Sequence, residues 1–344
     1  MPVSTSPSST ELQVIAVTEA RRFPAFAKHV LDADPVRANL ILPTLLKCYA
    51  AESKGHALEG HLWIVIHIGG NVKFIASCTK GYMGDYPLFI YTPIPSERLH
   101  PEYIWSSLTM IARTLLHSPT ISRRRVYSVF AQEEVTKVFA SIWTDITGIS
   151  PESIPYYHAK ISYATQESVA RFNRSVNPIP NAVCEMRPAV PSDVDGIADL
   201  CFRFAKESEP FVLSWRAALE EARILVQCGQ VWVYTATPPR GPTSIASIVA
   251  FTRNTEVAAA ITKVYTHPEF RSLGCAERLV RRVCQHLLKT RRFIVLYVGL
   301  DNRAANVYQK VGFLGVGLNA QPAPGVDNWL EVGFDRNQVR LGHW

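Results

Sequence analysis

Ile261-Thr-Lys-Val-Tyr-Thr-His-Pro-Glu-Phe-Arg-Ser-Leu-Gly-Cys-Ala276 is the stretch on which the reading turns. A β-rich run from Ala258 ends at Pro268, and a short loop carries Arg271 and Gly274. An amphipathic helix predicted over 274–289 begins at once, with Ala276, Leu279, Val280, Val283, Leu287 and Leu288 on one face. The first turn of a helix has N–H groups without helical partners and the positive end of its dipole, so it can hold a phosphate. Glycine at 274 lets the backbone approach such a ligand closely. The same residues also describe a plain strand, turn glycine and helix with no ligand.

Working outward, the C-terminal part reads as alternating strands and helices. A strand is predicted at 184–189 and a helix at 192–206, where Val194, Ile197, Ala198, Leu200, Cys201 and Phe204 recur at helical spacing. A helix follows at 215–227, then strands at 230–236, 244–253 and 258–266, the helix at 274–289, and a strand at 293–298. A short helix at 302–310 and strands at 313–316 and 329–334 complete the order. That order predicts a mixed sheet flanked by helices, an α/β (α+β) fold. The polar segment Asn173-Arg-Ser-Val-Asn-Pro-Ile-Pro-Asn181 cannot hold a helix and marks a predicted linker, 166–183. The 344 residues then divide into 11–165 and 184–344, each near the roughly 150 residues of a typical domain. Residues 1–10, rich in Ser, Thr and Pro, read as a flexible tail and not as a secretory leader, so the cytoplasm is the expected location.

A composition of 47% hydrophobic and 19% charged residues excludes a disordered chain. No run approaches the ~18 apolar residues of a membrane span. Cys48, Cys78, Cys184, Cys201, Cys228, Cys275 and Cys284 show no paired spacing and read as buried free thiols. His56-Ala-Leu-Glu-Gly-His61 lacks the spacing of a helical zinc pair, so no metal is expected. The net charge of +7 comes from 36 Lys and Arg against 29 Asp and Glu. Its clusters, Arg123-Arg124-Arg125, Arg281-Arg282 and Arg291-Arg292, are short and read as solvated surface. Neither nucleic acid nor a membrane is an expected partner, and the mild excess suits one polyanionic small molecule.

A second segment, Leu296-Tyr-Val-Gly-Leu-Asp-Asn-Arg-Ala-Ala-Asn-Val-Tyr-Gln-Lys-Val-Gly-Phe313, joins the first. Together the two resemble the GCN5-related N-acetyltransferase (GNAT) superfamily, and within it the FR47-like branch. Arg271-Ser-Leu-Gly-Cys-Ala276 is similar to that family's R/Q-x-x-G-x-G/A loop, and Asn302 to Phe313 resembles its asparagine, alanine, tyrosine and Gly-Phe signature. The resemblance implies that the backbone of Val264, Tyr265 and Thr266 pairs with the pantetheine arm of acetyl-CoA. It implies that the amides of Arg271, Ser272, Leu273, Gly274, Cys275 and Ala276 hold the pyrophosphate. Asn302 and Ala305 would line the pantetheine region, and Tyr308 would protonate the departing thiolate. A phenol with an ordinary pKa of about 10 keeps its proton at neutral pH, which suits that role; packing of a helix residue against the sheet is the alternative. Histone-type members carry a glutamate in the strand where this chain has Ala258-Ala-Ala260. Glu256, just before it, is the candidate base, with His267, just after it, as the other possibility.

The first half shows a faded copy of the same order. Leu88-Phe-Ile-Tyr-Thr-Pro93 parallels Lys263-Val-Tyr-Thr-His-Pro268, but Ile94-Pro-Ser-Glu-Arg-Leu-His-Pro101 stands where the glycine loop would be. Two prolines remove amide donors and Glu97 would repel a phosphate. The expectation is two tandem GNAT-like domains with a degenerate N-terminal one, an arrangement similar to glycine N-acyltransferase-like proteins; an unrelated α/β domain is the alternative. The expected function is transfer of an acetyl group from acetyl-CoA to an amine acceptor, a small molecule, by direct attack and without a covalent intermediate on Cys275. A CoA-binding module without turnover is the runner-up, and a scaffold that no longer binds CoA is the third reading.

Overall fold

The computed structural model describes residues 11–169 and 179–343. The expected tail, 1–10, and residues 170–178 of the expected linker lie outside the described residues. In chain order the elements are β1 (Gln13–Val17), α1 (Ala25–Ala33), α2 (Leu42–Ser53), β2 (Leu62–Ile68), β3 (Asn71–Lys80), β4 (Asp85–Tyr91), α3 (Pro101–Leu116), β5 (Ser128–Gln132), α4 (Glu133–Thr147) and β6 (Tyr157–Ala164). They continue as β7 (Val183–Pro188), α5 (Val194–Lys206), α6 (Trp215–Gln227), β8 (Val231–Thr237), β9 (Ser244–Asn254), β10 (Ala258–Thr266), α7 (Cys275–Leu287), β11 (Phe293–Gly299), α8 (Ala304–Val311) and β12 (Asn328–Gly333).

The chain forms two compact units, one reaching to Tyr157 and resuming at Trp329, the other His158–Asn328. This division departs from the boundary expected at 166–183. Each unit takes its last strand from the opposite half of the chain: β12 pairs antiparallel with β5 over Trp329–Gly333, and β6 pairs antiparallel with β11 over Ala159–Ala164. A Pro-rich stretch in the sequence marks a connection, but not which sheet edge the flanking strands will join.

The units share one strand pattern. In the first, β1, β2, β3 and β4 are successively antiparallel, β4 and β5 are parallel, and β12 closes the order. In the second, β7, β8, β9 and β10 are successively antiparallel, β10 and β11 are parallel, and β6 closes it. The internal duplication expected from sequence is therefore present in the topology.

Alternation along β8 and β9 gives the second unit an apolar core on each face of its sheet. Val231, Val233, Ile248 and Ala250 pack with α5 and α6, while Trp232, Tyr234, Val249 and Phe251 pack with α7 and α8. Residues 313–316, expected as a strand, form a turn: Gly312, Gly315 and Gly317 have φ of 119°, 72° and 92°, which no extended strand accommodates. Two arginines expected at the surface are buried. Arg125 meets Asp85 at 3.1 Å and donates to Tyr86 O and Thr79 O. Arg281 donates to Glu277 Oε1 at 3.1 Å and to Lys310 O at 2.7 Å. All seven cysteines are free; five are buried, Cys184 is half-buried and Cys228 is exposed.

Candidate functional site

The site follows from what β10 does after its first turn of pairing. Ala258–Ala260 pair with Phe293–Val295 of β11, and the parallel register stops there although both strands continue. Register shifts against β9 between Ala260, Ile261 and Lys263 mark a bulge at the same point. The bulge changes which face the side chains take: Ala259 and Ile261 belong to the α7 core, whereas Tyr265 belongs to the α5–α6 core. Beyond it, the His267 amide donates to Ala246 O of β9 at 2.9 Å and Ser247 Oγ donates to Tyr265 O at 3.0 Å. Odd-numbered backbone groups therefore face β9, and alternation turns those of Val264 and Thr266 toward the opened edge.

That edge leads into the loop that starts α7. Ser272 and Gly274 both have left-handed φ, 63° and 75°, and Gly274 is the N-cap. A Cβ at Gly274 would meet nothing within 4 Å, so the backbone conformation, and no crowding within the protein, calls for glycine. No side chain caps the first turn of α7, and the first helical bond is Arg278 N–H to Gly274 O at 3.2 Å. The opening amides and the dipole end thus stand at the mouth of an exposed glycine turn. Ser272 is exposed, and Leu273 and Ala276 are half-buried. Cys275 is buried, and burial pushes its thiol up to about 11, so at neutral pH it is no nucleophile.

The second sequence segment forms the turn after β11 and helix α8. Asn302 is exposed and its Oδ1 accepts from the Ala304 amide at 2.9 Å, a helix-capping bond. Ala305 is half-buried against the α7-side core. Tyr308 is buried in that core, edge-on to Phe313 at 5.7 Å. Burial, with Cys284 adding to it, drives the Tyr308 pKa far above that of free tyrosine. Its hydroxyl makes no hydrogen bond among the described residues.

The candidate bases fare differently. Glu256 is exposed in the turn between β9 and β10, at the opposite end of β10 from the glycine loop. Ten residues separate it from Thr266, about 33 Å of strand at ~3.3 Å per residue. From Ala260, where the pairing of β10 with β11 ends, it is four residues away. His267 Nδ1 accepts from the Glu269 amide at 3.4 Å and so caps a short 3-10 turn, Pro268–Phe270. It borders an open cleft of about 580 Å³ lined also by Arg187, Asp193, Asp199 and Glu269. Among the described residues no group of three or more His, Cys, Asp or Glu is placed to hold a metal ion, and no helix is long and apolar enough to cross a membrane.

Two ion pairs escaped the sequence reading. Lys263 Nζ is buried and donates to both oxygens of Glu221 at 2.6 and 2.7 Å. Burial opposes its charge, but Cys201 and the Glu221 carboxylate outweigh burial and raise the ammonium pKa. Tyr265 and Glu207 join Arg271 through side-chain hydrogen bonds. No local pattern could reveal these pairs, because their partners are 42 and 64 residues apart.

Residues 227–314, which include the opened strand, the glycine loop and α8, match the acetyltransferase (GNAT) domain family. The chain carries a GNAT domain. Solved structures of similar fold include a Drosophila protein at 10% identity, covering 93% of this chain and 98% of that one with a TM-score of 0.60. A GNAT-family acetyltransferase from Colwellia psychrerythraea, at 9% identity, covers 94% of this chain and 99% of its own with a TM-score of 0.50. The GCN5-related glucosamine N-acetyltransferase region of a fungal multi-domain GH3 β-N-acetylglucosaminidase, at 9% identity, covers 96% of this chain and 38% of that one with a TM-score of 0.51. No curated protein matches the sequence. The likeness to the Drosophila and Colwellia structures spans both units, so the fold is that of two tandem GNAT-like domains. In the N-terminal unit, Pro101 and the N-cap His100 begin α3 where the C-terminal GNAT domain has Gly274 and Cys275. That unit keeps the strand order and lacks the glycine-started helix.

Proposed function

We propose that the C-terminal GNAT domain transfers the acetyl group of acetyl-CoA to the nitrogen of a small amine. One observation carries the reading: an opened β10 edge runs directly into an uncapped, glycine-started helix. A flexible arm with amide groups can add to the edge as a strand would, through Val264 and Thr266. The amides from Arg271 to Ala276 then face a pyrophosphate at the positive end of α7. The neutral amine nitrogen bonds to the thioester carbonyl carbon, the carbon–sulfur bond breaks, and Tyr308 gives its proton to the leaving sulfur; the nitrogen loses its extra proton to water, and water returns a proton to the Tyr308 oxygen. Asn302 and Ala305 border the arm.

The experiment is a calorimetric titration of acetyl-CoA into the wild type and into Gly274→Glu, which puts a carboxylate where the pyrophosphate is placed. Wild-type binding in the micromolar range, about −8 kcal/mol, should weaken at least about 100-fold in the variant. Equal binding by both proteins would move the site elsewhere. Any thermal destabilisation of the variant should stay within about 1–2 kcal/mol, the strain of a non-glycine left-handed residue, because no atom crowds the site.

Tyr308→Phe tests the proton donor. Thiol release should fall by roughly 100-fold or more, while acetyl-CoA affinity changes little. Because burial raises the Tyr308 pKa, the wild-type rate should show no decline from its deprotonation between pH 7 and about pH 10. An alkaline limb below about pH 10 that appears in wild type and vanishes in Tyr308→Phe would keep Tyr308 as the donor but contradict its raised pKa, and unchanged thiol release by Tyr308→Phe would contradict the donor role. The lack of a glutamate within Ala258–Ala260 favours one other reading, a CoA-binding module without turnover. Thiol release with no amine of a broad panel, despite tight binding, would select it.

A further inference from the structure

Arg271 opens the loop before α7, yet its guanidinium is engaged with α5. Nη2 donates to Glu207 Oε1 and Oε2 at 2.9 and 3.2 Å and to the Tyr265 hydroxyl at 2.8 Å. Nε donates to Thr266 O at 3.3 Å, and the guanidinium carbon lies 5.2 Å from the centre of the Tyr265 ring. The Tyr265 hydroxyl donates to Glu207 Oε1 at 2.7 Å. Glu207 is itself fixed as the C-cap of α5, its amide bonded to Arg203 O and Phe204 O. The hydrogen bond from Tyr265, with Arg271 beside it, holds the Glu207 carboxyl below the usual range, so it is an anion at neutral pH. Burial and that same bond push Tyr265 up to about 12, so it stays a donor.

Two consequences follow from this geometry. Thr266 O belongs to the opened edge of β10, and Arg271 Nε occupies it. The positive charge of Arg271, within the loop, is also neutralised by a carboxylate at the end of α5. Both Arg271 and Glu207 are about half exposed, at 48% and 55% of their side chains, so solvent screens the pair and a stronger anion can displace it. We infer that Glu207 and Tyr265 hold Arg271 as a latch across the loop end of the β10 edge. A pyrophosphate-bearing ligand opens the latch by drawing Arg271 away from Glu207. Opening frees Thr266 O for the arm of the ligand and releases Glu207 at the head of the segment between α5 and α6. The latch rests on the acetyl-CoA reading above, because it needs that edge and that loop to hold one ligand.

Two ligands and three variants test it by equilibrium binding, without turnover. Glu207→Ala removes the competing anion and should tighten CoA about 3-fold, with Glu207→Gln, which keeps a partner for Tyr265, in between. Arg271→Ala should act with opposite signs. It removes a phosphate contact and should weaken CoA about 10-fold, yet it unblocks Thr266 O and should tighten S-acetylpantetheine, which has no phosphate. A residue that merely props the loop would move both ligands the same way. Weaker CoA binding by Glu207→Ala and Glu207→Gln, or weaker binding of both ligands by Arg271→Ala, overturns the latch while leaving the site in place. A wild type that binds no CoA overturns the site and the latch together.

Discussion

Residues 184–344 alone, the C-terminal half suggested by sequence, are expected not to fold. The fragment lacks β6, and so β11 loses the six-residue register from Ile294↔Ala164 to Gly299↔Ala159. It also loses the fully buried side chains of Ala159, Ile161 and Ala164, and the bond from Ser162 Oγ to Leu314 O at 2.6 Å. Several ladder bonds at about 1 kcal/mol each, with the burial of Ile161 at about 2–3 kcal/mol, sum to roughly 5–10 kcal/mol. A whole domain has only about 5–15 kcal/mol to lose. The fragment would also carry Trp329 and Leu330 of β12 without β5 to cover them, an exposed strand prone to edge pairing. Residues 158–328, which contain β6 and omit most of β12, should keep more native structure. Circular dichroism and amide NMR dispersion of the two fragments make the comparison. A cooperatively folded 184–344 fragment would show that β6 is dispensable.

The second large effect lies under β10. Lys263→Met should cost about 3–5 kcal/mol, because it leaves the Glu221 carboxylate, only 15% exposed, without its counter-ion. Lys263→Met with Glu221→Leu should recover most of that loss, since an apolar pair of similar volume suits the surrounding α5–α6 core. The contrast between single and double variants in urea unfolding separates a lost ion pair from a lost shape. Equal destabilisation by both would assign the cost to packing of the Lys263 stem and the contact of its Nζ, 5.0 Å from the centre of the Phe204 ring. The ion pair is adjacent in sequence to Val264, so the single variant should also disturb the edge groups that the proposed ligand meets.

Much of the site was legible where its chemistry is local. The loop from Arg271 to Ala276 needs a left-handed glycine followed by an amphipathic helix, and both are written in consecutive residues. Helix α6 and strand β10 have the bounds their periodicity predicts. The boundaries of α8 and α5 differ by a turn at most, because Asn302 caps from outside the helix and Pro191–Asp193 form a separate 3-10 turn. The expected strand at 313–316 failed because three left-handed glycines outweigh the extended preference of Phe313 and Val316. Glu256 was chosen for its closeness in sequence to the strand, and the fold leaves it exposed in the turn between β9 and β10, at the end of β10 away from the glycine loop.

The sequence by itself determined the two-fold repetition of strands and helices, the glycine-started helix, and the proline-rich substitute for it in the first unit. These are short-range properties, set by backbone sterics and by which face of one element is apolar. The tertiary structure alone decided that β6 and β12 exchange units, that the β10–β11 register ends at Ala260, and that Glu207 and Glu221 meet Arg271 and Lys263. A strand's alternation states which side is buried but does not name its neighbour. A charge gains a partner only when folding brings distant segments together, so pairing across the chain is a property of the assembled sheet.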